Sequence, residues 1–364
     1  MNPHRSPLHE EHIRLGARMT ESGGWSMPLE FAGPFTEYRA HRNASVLWDA
    51  SDLGSVLVAG PGARDLLQHT LTNDLARCGP GRSQYTLLLS AADGSVLDDL
   101  MLWWVESDHF LLTANRPEAV LAALRSARAA GPYPDCRIED VSAGRALLAL
   151  QGPQAAERMA GLAPAADSVA GSGVARLRLR GHEALVAATR FGGRLGYELQ
   201  LPVPAAREVY RALLARGVVP AGLAMRETHR LEAGILRHGF EFGPGVTPLE
   251  AGLERIVAFD TGFTGRAALL LRRRHGIRRI LRTVVMDGRR IPPTGAEVLQ
   301  EGEPVGRVTS GTFSLGMRRG LALAFLRPDV AAGSALTVRT PAGEAGGSVA
   351  ATPFLPATPA AVHR

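Results

Sequence analysis

The chain of 364 residues, with 45% hydrophobic and 21% charged residues, has the composition of a soluble globular protein of two or three domains. No apolar run approaches the roughly 18 residues that span a bilayer, and the N-terminus lacks the apolar segment of a secretory signal. Cys78 and Cys136 are too few for a disulfide framework, which predicts a reducing cytoplasm.

The charge balance is basic, with a formal net charge of +6, and all 41 basic residues are arginine. This net charge favours an anionic partner or substrate. The same composition, with its many Ala, Gly and Pro residues, is also what GC-rich coding produces, so both interpretations stay open. The densest patch, residues 272–279, lacks the interleaved aromatic residues that stack on bases, so no nucleic-acid partner is expected.

The N-terminal part predicts two helices, over residues 8–22 and 35–45, separated by the loop GGWSMPLEF. SVLWDASDLGSVLVAG predicts a pair of strands, and GPGARDLLQHTLTNDLA predicts a helix that follows a Gly-Pro-Gly turn. The next segment, QYTLLLSAADGSVLDDLMLWWVESDHFLLTAN, contains three apolar runs separated by the turn signals DG and SD, which predicts a meander. RPEAVLAALRSARAA has the periodicity of an amphipathic helix.

The second half begins with a buried strand, RALLALQGP, and a helix, QAAERMAGL. RLRLRGHEALVAATRFGGRLGYELQLP predicts a second meander. AAREVYRALLARG and AGLAMRETHRLEAGILRHG predict helices, the second ended by Gly239. Beyond residue 280, short alternating runs and frequent turn residues predict a small antiparallel barrel or sandwich, with a domain boundary at residues 275–282.

Common catalytic motifs are missing from the sequence. His9 and His12 in HEEH are three residues apart, unlike the HExxH zinc motif, and no Cys/His cluster supports a metal site. There is no GxSxG nucleophile elbow and no GxxxxGK[ST] phosphate loop.

Asp98 and Asp99 stand side by side in the apolar run SVLDDLMLWW. Alternation along a strand places them on opposite faces, and both faces are otherwise apolar. A buried carboxylate is costly unless it is paired or hydrogen-bonded. The pair therefore either caps the end of a hairpin or includes a functional acid, and alternation alone does not decide between these.

Two further groups of polar residues are candidates for binding. Glu198, two residues after Gly196 on a predicted strand, forms either a polar spot with room for a flat ligand or an exposed strand face. On the helix MRETHRLEAG, one stripe contains Arg226, His229, Arg230 and Ala233. Two arginines on a stripe bind a carboxylate well, or they belong to a solvated face paired with nearby glutamates.

The order of motifs is more specific than any one of them. The chain contains in succession SPLHEEHIRLGARM, GGWSMPLEFAG, VLWDASDL, LTNDLAR, QYTLLLSAADGSVLDDL, LALQGPQAAE, GYEL, GLAMRETHRLEAG, TPLEAGL, GFTGRAAL and VGRVTSGTFS. Because of this succession, the chain resembles the aminomethyltransferase (glycine cleavage T-protein) family over residues 6–355. The resemblance implies an α+β, three-domain, cloverleaf-like fold with antiparallel sheets and a C-terminal β-barrel or jelly-roll domain. Its implied domains are a discontinuous domain 1 (1–50 and 143–275), domain 2 (51–142) and the barrel (276–364).

The resemblance also implies a function, a tetrahydrofolate-dependent transfer of an aminomethyl group that forms 5,10-methylenetetrahydrofolate and releases ammonia. Asp99 resembles the family's catalytic carboxylate, Glu198 the acid at the pterin edge, and Arg226 an arginine that holds the folate. The remaining implied folate neighbours are Tyr85, Trp103, Phe191 and Leu53. A lipoylated carrier (H-protein) and a small-molecule one-carbon donor are the implied partners.

Elementary chemistry agrees with these implied roles. A folate nitrogen that attacks a one-carbon electrophile gains positive charge, which a preorganised carboxylate stabilises and whose proton it can accept. A pterin edge presents adjacent N–H donors, and one carboxylate accepts two of them.

Several positions depart from the family pattern: Asp52, Arg194, Glu227, His229 and His238. The departures lie near the implied pocket rim, whereas the implied folate-facing acids are kept. Two alternatives therefore stay open, a folate-dependent demethylase or biosynthetic methylene transferase and, less favoured, a non-catalytic folate-binding protein.

Overall fold

A computed structural model describes residues 3–133, 135–169, 171–191 and 195–351. Its contacts divide the chain into two compact units, unit 1 (Met1–Thr86 and Asp98–Arg226) and unit 2 (Leu87–Leu97 and Glu227–Arg364). The three-domain division stays a prediction. Among the described residues, no helix has both the length and the apolar character needed to cross a membrane.

A six-stranded sheet forms the centre of unit 1, with strand order β11-β12-β13-β10-β4-β14. Its strands are β4 (Val46–Asp49), β10 (Arg145–Gln151), β11 (Val174–Leu179), β12 (His182–Thr189), β13 (Gly196–Pro202) and β14 (Val219–Pro220). Strands β11, β12 and β13 are antiparallel neighbours, so the second predicted meander is confirmed.

The two faces of this sheet differ in chemistry. On one face, side chains such as Leu148, Val186 and Leu199 form a buried core with helices α5 (Ala155–Ala160) and α6 (Val203–Leu214). Alternation turns Glu198 and its cross-strand partners to the opposite face. Apolar packing on the first face therefore fixes the register that presents Glu198 on the second.

A five-stranded sheet has the order β6-β7-β8-β5-β9. Its strands are β5 (Gly54–Ala59), β6 (Arg82–Leu89), β7 (Val96–Glu106), β8 (His109–Ala114) and β9 (Arg137–Asp140), accompanied by α3 (Ala63–Thr70) and α4 (Pro117–Ala130). The first predicted meander is confirmed. The predicted pairing of β4 with β5 is wrong, because the turn between them sends the two strands into different sheets.

The N-terminal segment differs from its prediction. After the short strand β1 (His4–Arg5), helix α1 covers only His9–Arg14. It is followed by β2 (Arg18–Ser22) and β3 (Trp25–Glu30), which pair with each other. Gly16 has a φ of 76°, a left-handed conformation that ends the helix. The predicted loop is thus largely a strand, whereas α2 (Pro34–Asn43) confirms the second predicted helix.

A buried polar cluster fixes this N-terminal segment to the six-stranded sheet. His12 and Asp49 are fully buried, with His12 Nε2 2.9 Å from Asp49 Oδ2. The Ser6 hydroxyl donates to the same carboxylate oxygen, and the Ser51 backbone N–H donates to the other at 2.9 Å. The sequence showed no sign of this cluster, because its members lie far apart along the chain.

Unit 2 contains helix α8 (Arg266–His275) and a closed barrel of antiparallel strands, in the order β15-β18-β17-β16-β19-β20. The strands are β15 (Ile280–Met286), β16 (Glu297–Gln300), β17 (Glu303–Ser314), β18 (Arg319–Leu326), β19 (Ala335–Thr340) and β20 (Gly343–Ala350). Alternate valines, leucines and alanines fill its interior. The predicted C-terminal barrel is confirmed.

Candidate active site

Asp98 is the fully buried member of the aspartate pair on β7. Its Oδ1 accepts the backbone N–H of Asp99 at 2.9 Å and the amide N–H of Asn115 at 2.8 Å. Its Oδ2 accepts the backbone N–H of Arg116 at 2.8 Å, just before α4 begins. These bonds compensate the cost of burying the carboxylate, and they tie the end of β8 to β7.

Asp99 faces the other way and is half-buried. The Tyr85 hydroxyl donates to its Oδ2 at 2.9 Å, and the Asn115 amide donates to its Oδ1 at 2.7 Å. Burial, followed by the negative charge of Asp98, raises the pKa of Asp99 to about 6, although the two donors oppose this shift. A positioned carboxyl group with this pKa exchanges a proton readily near neutral pH.

Trp103 and Leu53 occupy different surroundings. Trp103 lies on the same alternating face of β7 as Asp99 and is fully buried, and its indole N–H has no hydrogen-bond acceptor among the described residues. Leu53 is half-buried in the turn between β4 and β5, where its N–H donates to the Ala50 carbonyl. Their contact with a ligand stays a prediction.

Glu198 stands in a row that crosses four strands of the six-stranded sheet. Its direct cross-strand partners are Ala187 on β12 and Ala149 on β10, and Ala149 is in turn opposite Trp48 on β4. Directly opposite residues share a face, so two small side chains flank the carboxylate and one indole lies on the same face beyond them.

The Glu198 carboxylate is poorly satisfied. Its Oε2 is buried and has no hydrogen-bond partner among the described residues. Burial raises the pKa of Glu198 to about 7, and the positive charge of Arg226 partly opposes that shift. A buried acceptor without a donor costs about 1–3 kcal/mol, so the site favours a ligand that brings an N–H group.

The space beside Gly196 is filled from within the protein. Gly196 is opposite Gln151, whose amide atoms lie 2.1–2.4 Å from the position of a Cβ at residue 196. The Gln151 amide also donates to Thr189 Oγ1 at 2.8 Å across the glycine. The interpretation of Gly196 as room for a flat ligand is therefore wrong, because this glycine accommodates a protein side chain.

Gly196→Ala is expected to lower the free energy of unfolding by about 1–3 kcal/mol, because the new methyl group overlaps the Gln151 amide. Urea denaturation would measure the change. The matched control is Gly144→Ala, where a Cβ would meet no atom within 4 Å. Equal stability of the two variants would contradict the close packing at Gly196.

Phe191 packs edge-to-face against Trp48, with ring centroids 5.7 Å apart. This contact gives the face that carries Glu198 an aromatic pair. The structure thus groups the predicted residues as Tyr85 with Asp99, and Glu198 with Arg226. Sequence reasoning missed Trp48 and Asn115. The register of VLWD against LALQ would have indicated Trp48, but nothing in the local sequence distinguishes Asn115.

Arg226 and Arg230 have separate roles on α7 (Leu223–Ala233). Arg230 is buried in unit 2, where it donates to Glu227, to Glu241 at 3.1 Å and to Ser310 at 2.8 Å. A solvated position is therefore wrong for Arg230, whereas its pairing with a nearby glutamate, Glu227, is confirmed. The predicted end of this helix at Gly239 is also wrong, because α7 ends at Ala233.

The departures from the family pattern also have defined places. Asp52 is half-buried in the turn after β4, and His229 is buried on α7. His238 Nε2 lies 3.0 Å from the Leu97 carbonyl oxygen, and its ring packs edge-to-face on Phe242. Arg194 lies outside the described residues. Within the described ranges, no group of three or more His, Cys, Asp or Glu side chains is placed to hold a metal ion.

Comparison with known proteins identifies the family. The model of the GCVT N-terminal domain matches residues 8–261, and that of the glycine cleavage T-protein C-terminal barrel domain matches residues 278–355. The aminomethyltransferase of Mycobacterium avium is 40% identical over 332 residues, covering 89% of this chain and 88% of its own. That of Halothermothrix orenii is 35% identical over 360 residues, covering 96% and 99%.

A solved structure agrees with the sequence relatives. The glycine cleavage system aminomethyltransferase T from Bartonella henselae superposes with a TM-score of 0.90 at 28% identity, over 96% of this chain and 98% of its own. These relatives favour aminomethyl transfer over the demethylase, methylene transferase and non-catalytic alternatives. The chain therefore belongs to the glycine cleavage T-protein family, together with these aminomethyltransferases.

Proposed function

We propose that this enzyme transfers an aminomethyl carbon to tetrahydrofolate, forming 5,10-methylenetetrahydrofolate and releasing ammonia, with Asp99 as its catalytic acid–base. The observation that carries the proposal is the Asp99 carboxylate itself. It is half-buried, its two oxygens accept from Tyr85 on β6 and from Asn115 just after β8, and its pKa is raised to about 6. Bound tetrahydrofolate supplies the nitrogen that accepts the carbon.

Asp99 would stabilise the positive charge that develops at the reacting nitrogen and then accept its proton. Tyr85 and Asn115 fix the two carboxylate oxygens, so little reorganisation is needed when charge develops. Because the pKa of Asp99 is close to neutral, the group can also return a proton to the departing amine.

The Glu198 face fits the flat, N–H-rich edge of a pterin. Glu198 Oε2 offers an unused buried acceptor, and its alanine neighbours do not crowd it. Trp48 and Phe191 provide aromatic area for orientation. Arg226, whose charge acts on Glu198, would help to hold the folate. Leu53 and Trp103 are proposed as further apolar neighbours.

The proposed donor is a lipoylated carrier of the H-protein type, because the family is that of the glycine cleavage T-protein. The carbon–sulfur bond to this carrier breaks during the transfer, and its sulfur leaves as the thiol of the reduced lipoyl group. The formal net charge of +6 would favour encounter with an acidic carrier. We place the reaction in the cytoplasm, since Cys78 and Cys136 are both free thiols.

A single-turnover assay tests the function. The purified enzyme is mixed with tetrahydrofolate and an aminomethylated lipoyl carrier, and formation of methylenetetrahydrofolate and ammonia is followed. We expect both products in equal amounts. Absence of transfer, with folate bound normally, would contradict the proposed donor, and a screen of small methylamines would then identify another.

Glu198→Gln is expected to weaken tetrahydrofolate binding by about 1–3 kcal/mol, because it spoils a buried hydrogen bond to a charged acceptor. The same change should stabilise the free enzyme above neutral pH. Since the pKa of Glu198 is raised from 4.5 to about 7 on folding, its ionisation lowers stability as the pH rises through this window.

Isothermal titration calorimetry would measure the affinity, and urea denaturation at pH 8 and at pH 5 would measure the stability. The stabilising effect should be larger at pH 8. Unchanged folate affinity would argue against the proposed role of Glu198 in pterin binding.

A further inference from the structure

Asp98 and Asp99 are linked by one side chain. The Asn115 amide group donates one N–H to Asp98 Oδ1 at 2.8 Å and the other to Asp99 Oδ1 at 2.7 Å. Asp98 is also fixed by the backbone N–H groups of Asp99 and Arg116. N–H donors around a fully buried carboxylate favour its ionised form, and the negative charge of Asp98 acts on the neighbouring Asp99, the proposed catalytic acid.

We propose that Asp98 is a positioning residue of the transfer reaction, a fixed charge that acts through Asp99 and determines, with Asn115, how tightly Asp99 holds its proton. This inference rests on the proposed catalytic role of Asp99. It assigns to the first aspartate of the pair a part in the chemistry beyond capping the end of a hairpin.

Opposing influences act on the proton of Asp99. Burial raises the pKa of Asp99 most, the like charge of Asp98 raises it further, and the N–H of Asn115 lowers it. Tyr85 on β6 is a further donor that lowers the pKa. Arg116 presents its backbone N–H to Asp98, whereas its guanidinium pairs with the exposed Glu118 at 3.3 Å.

The consequence is a carboxyl group that both binds and releases a proton at physiological pH. Without the charge of Asp98, Asp99 would hold its proton less tightly and would be a weaker base. Without Asn115, it would hold the proton more tightly and would be ionised in a smaller fraction of molecules. Balance between the two suits an acid–base group that must work in both directions.

The test is the pH dependence of kcat/KM, which reports ionisations of the free enzyme. The proposed reaction needs the ionised form of Asp99, so kcat/KM should fall on the acid side of the profile, which we call the acid limb. Asp98→Asn should move this acid limb to lower pH. Asn115→Ala should move it to higher pH. Each shift should be about one pH unit, because the charge of Asp98 and the Asn115 hydrogen bond are smaller influences than burial on an Asp99 pKa that is raised to about 6. Glu118→Gln, which removes an exposed charge next to Arg116, is the control and should leave the limb in place.

A merely structural role for Asp98 and Asn115 would lower the rate at every pH and leave the limb unmoved. Unmoved limbs in both variants, or shifts in the same direction, would overturn the inference. Thermal melting and folate affinity at pH 8 show whether each variant is folded. If Asp98→Asn does not fold, Asn115→Ala alone tests the inference. An acid limb that does not move to higher pH in Asn115→Ala would then overturn it.

Asp99→Asn separates this inference from the proposed function. An inactive Asp99→Asn together with unmoved limbs in the other two variants would overturn only the role of Asp98. An Asp99→Asn enzyme with the wild-type rate would overturn the catalytic role itself, and the inference with it.

Discussion

Asp99→Asn is expected to slow single-turnover aminomethyl transfer by about 10²–10⁴-fold, the usual contribution of a positioned acid–base group. The amide has nearly the same shape and still accepts a hydrogen bond from Tyr85 or Asn115, but it carries no charge and takes up no proton. Tetrahydrofolate affinity should therefore change much less than the rate. Rapid-quench measurement of methylenetetrahydrofolate, with calorimetry for binding, would test both expectations.

The matched control is Asp65→Asn on α3, where the side chain is 61% exposed and lies in the same unit. This control should retain the wild-type rate. Wild-type transfer by Asp99→Asn would remove Asp99 from the mechanism. A loss of folding, seen as a lower melting temperature, would instead require the comparison to be made at lower temperature.

Asp49→Asn is expected to lower the free energy of unfolding of unit 1 by about 1–3 kcal/mol, the cost of leaving a buried hydrogen-bond donor without its acceptor. Both His12 and Asp49 are fully buried, and Ser6 and Ser51 also donate to the carboxylate. An amide at this position has only one oxygen, so its N–H group faces one of these donors and that donor loses its acceptor. All four tryptophans lie in unit 1, so their fluorescence during urea denaturation reports on it directly.

The pH dependence gives this prediction a second test. Burial raises the pKa of Asp49, but His12, Ser51 and Ser6 together lower it by more than burial raises it. The net result is a pKa below the ordinary value of 3.8. Its stabilising contribution is therefore present above that value and is lost as the pH falls through the lowered pKa. The difference between wild type and Asp49→Asn should shrink in strong acid. Asp108→Asn, at an exposed turn, should stay within about 0.5 kcal/mol of wild type.

Local pattern predicted the elements whose residues alternate or repeat over a long run. Both meanders and the barrel follow from alternation interrupted by turn signals, and α2, α3, α4 and α6 follow from helical periodicity. The predictions of secondary structure were wrong where a glycine or a turn interrupted the periodic pattern of the sequence. Gly16 ends α1 after six residues, and the turn from β4 to β5 separates two strands that look like a hairpin.

The residues of the candidate site were likewise only partly predictable from the sequence. Alternation put Asp98 and Asp99 on opposite faces but did not rank them, and resemblance to the family selected Asp99. Nothing local indicates that Asn115 bridges both acids, because the contact depends on the end of β8 meeting β7. The cluster of Ser6, His12 and Asp49 likewise depends on chain segments that meet only in the folded protein.

The turn between β6 and β7 has a consequence for the order in which the protein folds. Residues 87–97 belong to unit 2, although they are synthesised long before the rest of that unit. The Val96 N–H donates to the Val246 carbonyl, and the Leu97 carbonyl lies 3.0 Å from His238. These partners leave the ribosome late, so the turn cannot complete its native pairing during early synthesis. Because such contacts bridge long stretches of chain, unit 2 should fold slowly and after translation.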